Sequence, residues 1–233
     1  MTAITVAVLA YNEHQNIVPV LEELDAWRSG FHADVEVLVV DDGSSDDTAE
    51  LAESYGARVL RRAQNGGMGA ALKTAARAAR GEWLTFLPAD GQIPPESVQT
   101  LYEARGDAAL VLSVYRLRND GAARKVLSWG VRALITVVHG VRLRSEGPYL
   151  IRTSLLDPDQ LDADTFFLNF EVPIRALRAG LKAAEVTIEC RPRLAGVSKP
   201  ARPGRALQVG AELLRLRRRL LTDALRRARG ADS

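Results

Sequence analysis

Trp83-Leu84-Thr85-Phe86-Leu87-Pro88-Ala89-Asp90-Gly91-Gln92 is the stretch on which the fold of this chain turns. Its first five residues are apolar, aromatic or β-branched, the content of an interior strand, and Pro88 and Gly91 stop it. The strand delivers one carboxylate, Asp90, and one carboxamide, Gln92, into a tight turn. Oxygen ligands two residues apart suit a hard divalent cation that carries a diphosphate. They equally suit a solvated turn that happens to hold an acid, and the upstream sequence favours the cation.

Three earlier segments share the design of apolar strand, polar loop and helix. Ile4-Thr5-Val6-Ala7-Val8-Leu9 leads into Ala10-Tyr11-Asn12-Glu13, with a helix from about Asn16. Val35-Glu36-Val37-Leu38-Val39-Val40 leads into Asp41-Asp42-Gly43-Ser44-Ser45-Asp46-Asp47-Thr48 and a helix through Tyr55. Ala57-Arg58-Val59-Leu60 leads toward Asn65-Gly66-Gly67-Met68-Gly69 and a helix through Ala79. Strands alternating with helical patterns predict βαβ units on a mostly parallel sheet, an α/β fold. Ligands of such sheets bind beyond the carboxyl ends of the strands, where the strand order switches. All the polar clusters lie at those ends, which points to a nucleotide or sugar site.

The 233 residues are enough for a sizeable core, and one main domain is expected. A hydrophobic content of 47% and a charged content of 26% are ordinary for a soluble globular protein. The single Cys190 excludes an internal disulfide and fits a reducing cytoplasm. His14, His32 and His139 lack metal-ligand spacing. No signal peptide is expected, since the chain enters a strand after Ala3, and no apolar run approaches the roughly 20 residues that span a bilayer.

The formal charge of +2 hides an asymmetry: residues 200–233 carry nine arginines against Glu212, Asp223 and Asp232, a net of +6. The rest of the chain holds 22 basic and 26 acidic residues, a net of −4. The tail reads as a helix from Arg205, with Leu207, Ala211, Leu214, Leu221 and Leu225 as a loose apolar stripe. Such a basic amphipathic helix lies on an anionic membrane surface, binds a partner, or packs its leucines on the domain. Nucleic acid is disfavoured, because the tail has no aromatic residues to stack on bases. A second apolar helix is expected from about Ala122 to His139, either packed in the core or lying in the lipid interface. The Pro- and Arg-rich stretch 191–205 is the one candidate hinge.

Taken together, Ala10 to Glu13, Val39 to Thr48, the Asn65-to-Gly69 loop and Ala89-Asp90-Gly91-Gln92 resemble the family-2 glycosyltransferases, nucleotide-sugar-dependent enzymes of the GT-A fold. The match covers residues 3–115 well. Ser113-Val114-Tyr115-Arg116, helix 122–139, Gly147-Pro148-Tyr149-Leu150 and Arg193-Leu194-Ala195-Gly196-Val197-Ser198-Lys199 look more loosely like the polyprenyl-phosphate sugar transferases, the group that includes dolichyl-phosphate mannose synthase. The resemblance implies a Rossmann-like three-layer α/β/α domain over residues 1–200. Its nucleotide-sugar half would be about 1–115 and its acceptor half about 116–200, with 201–233 as a basic amphipathic helix.

The resemblance also implies roles. Ala10, Tyr11, Asn12, Glu13, Asp41, Asp42, Gly43, Asn65, Gly69, Ala89 and Asp90 would bind the nucleotide sugar, and Asp90 and Gln92 would hold Mg²⁺ or Mn²⁺. Arg116, Arg124, Arg193, Ser198 and Lys199 would grip the acceptor phosphate, with Asp90, Arg116 and Arg193 catalytic. The partners implied are a nucleotide sugar, a polyprenyl phosphate and the cytoplasmic face of a membrane. The reaction would be an inverting displacement at the anomeric carbon. A phosphate acceptor is already anionic near pH 7 and needs cations rather than a general base.

One departure weakens the metal turn: the family writes it Asp-any-Asp, and here Pro88 replaces the first acid. Two other readings follow. A hydroxyl acceptor would require a base, for which Asp164 and Glu171 are candidates. Loss of the acid would also suit a catalytically silent nucleotide-sugar-binding subunit. A dinucleotide fold is disfavoured, because its glycines should follow the first strand, where Ala10-Tyr11-Asn12-Glu13 stands.

Overall fold

The computed structural model describes residues 2–116, 122–196 and 205–230, with the segments 122–128, 205–209 and 223–230 as backbone. It divides into two compact units, Met1–Arg118 with Arg144–Ser198, and Asn119–Leu143 with Lys199–Ser233.

The larger unit is built on β1 (Ile4–Ala10), β2 (Val35–Asp41), β3 (Arg58–Arg61), β4 (Trp83–Pro88), β5 (Leu110–Tyr115), β6 (Leu150–Arg152) and β7 (Ala183–Ile188). The described strands form one sheet in the order β3-β2-β1-β4-β6-β5-β7. All pairs are parallel except those of the short β6, which runs antiparallel to β4 and β5. Every residue of β1 is buried, as its unbroken apolar run requires of a strand covered on both faces. Connecting helices are α1 (Ile17–Ser29), α2 (Thr48–Ser54), α3 (Met68–Ala78), α4 (Glu96–Glu103) and, after the smaller unit's α5 (Ala122–His139), α6 (Leu168–Arg178). Ile17, Val20, Leu21 and Leu24 of α1 join Val6, Val8, Leu87, Val98 and Leu101 in the core.

Register places the functional ends. Chain order turns at β1, which is flanked by β2 on one side and β4 on the other, making their boundary the switch point. Ala10 pairs with Asp41 and Leu9 with Pro88, so the three carboxyl ends finish flush. The ladder runs one step further: Asp42 N donates to Ala10 O at 2.8 Å and Ala89 N to Leu9 O at 3.0 Å. The backbones leading to Tyr11, Asp42 and Asp90 are therefore tied side by side before any ligand arrives.

In the smaller unit, α5 lies against α7 (Arg205–Gly230). Ile135 and His139 of α5 and Leu213 and Leu216 of α7 are buried, and His139 Nε2 lies 3.1 Å from Leu213 O. Of the apolar stripe expected on the tail, Ala211, Leu214 and Leu221 are exposed, and the side chains of Leu207 and Leu225 lie outside the described residues. The described leucines that are buried are Leu213 and Leu216, beside buried Glu212, because α5 selects one face and a leucine-rich helix offers several. No helix among the described residues is long and apolar enough to cross a membrane.

Candidate active site

The loop after β1 and the loop after β2 are stitched together by short polar side chains. Asn12 sits in the left-handed region at φ 54°, which asparagine tolerates better than most residues. Its Oδ1 accepts from Ser45 N at 2.8 Å, and its own N donates to Ser44 Oγ at 2.9 Å. Glu13 N donates to Thr48 Oγ1 at 2.8 Å. Thr48 Oγ1 donates in turn to Asp46 at 2.5 Å. Burial pushes the Asp46 carboxyl up, but hydrogen bonds from Thr48 and His14 outweigh it and hold Asp46 below the ordinary carboxylate value. Tyr11 opens the first of these laced loops, directly after β1.

Asp41 and Asp42 are both buried, and each organises a different loop. Asp41 accepts Ser44 N at 3.2 Å and the Ser44 hydroxyl, closing the turn at Gly43, whose φ is 71°. Asp42 accepts Gly67 N at 2.7 Å, Gly66 N at 3.1 Å and the Arg62 guanidinium. It thus clasps the glycine loop to β2. Asn65 stands exposed at that loop's tip. Gly69 is a glycine for a reason the sequence did not reveal. A Cβ there would sit 2.5 Å from Thr165 O, so the bare backbone makes room for the chain's own 164–165 segment. Ala70 N completes that contact by donating to Asp164 O at 3.0 Å.

Asp90, the acid of the β4 turn, is 4% exposed. Its Oδ1 accepts Gln92 N at 3.0 Å, and its Oδ2 lies 3.0 Å from Arg193 Nη2. Arg193 Nη1 lies 3.5 Å from Glu13 Oε1, so one guanidinium bridges the β1 and β4 loops. Sequence reading assigned Arg193 to the acceptor phosphate; the structure sets it against two residues assigned to the donor. The backbone of 191–195 is fastened over the turn. Arg191 N donates to Gln92 O at 2.9 Å, Leu194 N to Asp90 O at 3.2 Å, and Asn16 Nδ2 to Ala195 O at 3.2 Å. Gly91, at φ 71°, admits Leu194, whose side chain a Cβ would meet at 2.5 Å. Arg191 grips both carboxylate oxygens of Glu23 and donates from Nε to Gly91 O at 2.5 Å.

Gln92 spends its amide nitrogen on Arg191 O at 3.4 Å, which leaves its oxygen as the accepting end. Among the described residues, no group of three or more His, Cys, Asp or Glu side chains could hold a metal ion. Pro88 occupies the flush strand end where a second acid would stand. One carboxylate and one amide oxygen are hard donors that fit a cation arriving with a diphosphate, and they do not make a metal site alone.

Arg116 follows β5, is exposed, and is fixed through its N to Ile188 O at 2.9 Å. The side chain of Arg124, and Ser198 and Lys199, lie outside the described residues. Glu171 is sealed: fully buried, it accepts Asp162 N at 3.0 Å, Ala163 N at 2.9 Å and Arg175 Nε at 2.8 Å. With its oxygens spent on the 162–163 loop, it is a structural acid. Asp164 is exposed and pairs with Lys73. Arg62, Thr48 and Arg191 also shape the site; Arg62 went unread in the sequence, and Thr48 and Arg191 were read only as members of a polar loop and of the 191–205 stretch.

Known proteins resemble this chain in sequence and in fold. The profile of the family described as Glycosyl transferase family 2 matches residues 5–168. A dolichyl-phosphate beta-glucosyltransferase of Trichomonas vaginalis is 32% identical over 59% of this chain and 48% of its own length. A dolichol-phosphate mannosyltransferase of Pyrococcus furiosus is 27% identical over 84% of this chain and 58% of its own. The chain therefore spans about half the length of the curated relatives it matches. In three dimensions it is similar to glucosyl-3-phosphoglycerate synthase of Mycobacterium tuberculosis crystallised with Mg²⁺ and UDP. That match has a TM-score of 0.73 and 27% identity over 92% of this chain and 79% of the other. Its sheet is thus a GT-A-like sheet. Since the profile covers well over half of the chain and takes in the converging ends of β1, β2 and β4, the chain belongs to glycosyl transferase family 2.

Proposed function

We propose that the chain transfers a sugar, with inversion at the anomeric carbon, from a nucleotide-sugar donor to a polyprenyl phosphate at a membrane surface. The observation that carries this reading is the bridge Glu13–Arg193–Asp90, which brings the β1 and β4 loops to one point at the switch of strand order. Tyr11 offers a ring face to the base, and Asp41 retains lone pairs for base or ribose donors beyond those given to Ser44. Asp42 acts through the glycine loop that it clasps. Asp90 and the Gln92 amide oxygen would hold a divalent cation on the diphosphate, and that ion would stabilise the charge of the leaving nucleotide. Arg193 adds donors for the same oxygens.

The acceptor side rests on chemistry. A phosphate monoester is anionic near neutral pH, so transfer to it requires positioning cations and no base. The sealing of Glu171 agrees with a reaction that does without one. Arg116 is the described cation at the end of β5 suited to this role. Membrane contact is supported by exposed Trp129 and Val137 on α5, 68% and 83% accessible, beside a helix α7 that carries Arg215, Arg217, Arg218 and Arg219.

A soluble acceptor is the second reading, because the similar synthase structures include one with Mn²⁺, UDP-glucose and phosphoglyceric acid. The two readings separate in one assay. Radiolabelled UDP- and GDP-sugars are incubated with a short polyprenyl phosphate or with phosphoglyceric acid, and the label is partitioned between organic and aqueous phases. Cation-dependent label in the organic phase supports the proposal. Label joined only to phosphoglyceric acid replaces it with the second reading.

A further inference from the structure

We propose that Arg193 is the resident counter-cation of the donor site. It holds Asp90 until a nucleoside diphosphate arrives, so that the divalent cation is admitted only together with the nucleotide. The inference rests on the donor-site reading above and concerns how that site is regulated.

Two enclosed carboxylates, Asp90 and Glu13, face one guanidinium. Leaving them together without a cation would be costly at such low exposure. The Asp90 oxygen that Arg193 takes, Oδ2, is the one not used within the turn, since Oδ1 accepts Gln92 N. A divalent ion approaching alone must compete with Arg193 for that oxygen. Within the turn it would add the Gln92 amide oxygen, since Pro88 supplies no second acid, and among the described residues no three His, Cys, Asp or Glu side chains are grouped to hold an ion. A bare ion therefore gains little.

The hold of Arg193 is also incomplete. Its Nη1 reaches Glu13 only at 3.5 Å, and its buried Nε has no hydrogen-bond partner among the described residues. Arg191, two residues earlier, places Nε and both terminal nitrogens on acceptors and is a structural clamp by comparison. The backbone beside Arg193 cannot leave, because Arg191 N and Leu194 N are bonded to the 90–92 turn. Only the side chain is free to turn, within reach of whatever anion binds there. A diphosphate would satisfy its fork of donors better than the present pair does. The exchange is then simple: Arg193 passes from Asp90 to phosphate oxygens, and Asp90 passes to the cation. Cation and nucleotide should consequently strengthen each other's binding, and by the same factor in either order.

Mn²⁺ binding followed by electron paramagnetic resonance tests this on the full chain. Titrations are run with and without UDP or GDP and corrected for the complex that Mn²⁺ forms with the nucleotide alone. Wild type should bind Mn²⁺ weakly by itself and at least about tenfold more tightly with nucleotide. Arg193→Gln should bind Mn²⁺ alone about tenfold more tightly than wild type and lose most of the nucleotide enhancement. Circular dichroism melting reports whether that variant is folded; if it is not, Arg193→Lys, a point charge without the fork, should show a reduced enhancement. Equal Mn²⁺ affinity in wild type and a folded variant, with nucleotide binding intact, would overturn the inference and spare the donor-site reading. Absence of any nucleotide-dependent Mn²⁺ binding in wild type would overturn both.

Discussion

Asp90 combines three constraints that seldom meet in a surface turn: enclosure, a strand-end position and a charged partner on another loop. Asp90→Asn keeps the shape and the acceptance of Gln92 N while removing the charge. Turnover should fall by about 100-fold or more, as when a charge-stabilising group is lost at a reacting centre. The circular dichroism spectrum and cooperative melting should persist; near-full turnover would remove Asp90 from the reaction. At this scale the sequence was partly legible. That Asp90, Gln92, Asp41 and Glu13 stand together at strand ends was legible from residue type and position. The partners were not. That Asp42 spends itself on Gly66, Gly67 and Arg62, or that Glu171 is sealed by Arg175, depends on side-chain directions that spacing does not encode.

Between elements, fixed contacts matter more than single groups. Gly69 at the start of α3 meets Thr165 O so closely that Gly69→Ala must push two backbones apart. A loss of about 1–3 kcal/mol in urea unfolding is expected, the usual cost of overpacking. An unchanged midpoint would mean that the 164–165 segment yields freely. A second contact joins three strands under the site. Glu36 on β2 accepts Thr5 Oγ1 of β1 at 2.6 Å, Arg58 of β3 at 2.5 Å and Arg80 N at 2.9 Å. Burial pushes its carboxyl up, yet these donors pull harder and leave it below the ordinary value. A carboxyl lowered by folding contributes stability that is complete above its unfolded value of about 4.5 and is lost as pH falls through the folded value. Glu36→Gln should therefore destabilise at pH 7 and flatten the acid side of the stability curve. Parallel curves for the two proteins would show that Glu36 adds nothing. The parallel β7 (Ala183–Ile188), only partly buried, went unread, whereas β1 to β4 were readable from their apolar runs and the helices after β1, β2 and β3 from period and loop chemistry. The three-residue β6 was not, because Leu150-Ile151-Arg152 is too short to show alternation and is set by its neighbours β4 and β5.

Over the whole chain, charge is distributed as sharply as structure. The net +6 of residues 200–233 resides in or beside α7, while the remainder is net negative. With apolar side chains exposed on both helices of the smaller unit, the protein should sediment with vesicles rich in anionic phospholipid and not with neutral ones. Binding should weaken at 0.5 M salt, because about 1 kcal/mol per juxtamembrane arginine is screened. Trp129→Ala should weaken what remains, and equal binding to neutral and anionic vesicles would exclude the electrostatic part. The sequence revealed the basic tail and the apolar helix separately. That they pack on each other through Ile135, Leu213 and Leu216 was not legible, since each helix offers more than one plausible apolar face.

The central claim is that three flush strand ends hold a nucleoside diphosphate and its cation at Asp90. A crystal structure with Mn²⁺ and UDP or GDP, phased to show the manganese anomalous signal, tests it most directly. One manganese peak should be coordinated by Asp90 and by diphosphate oxygens, with the base beside Tyr11 and Asp41 and with Arg193 turned from Asp90 onto phosphate. A nucleotide bound away from the ends of β1, β2 and β4, or a manganese ion that does not touch Asp90, would contradict it.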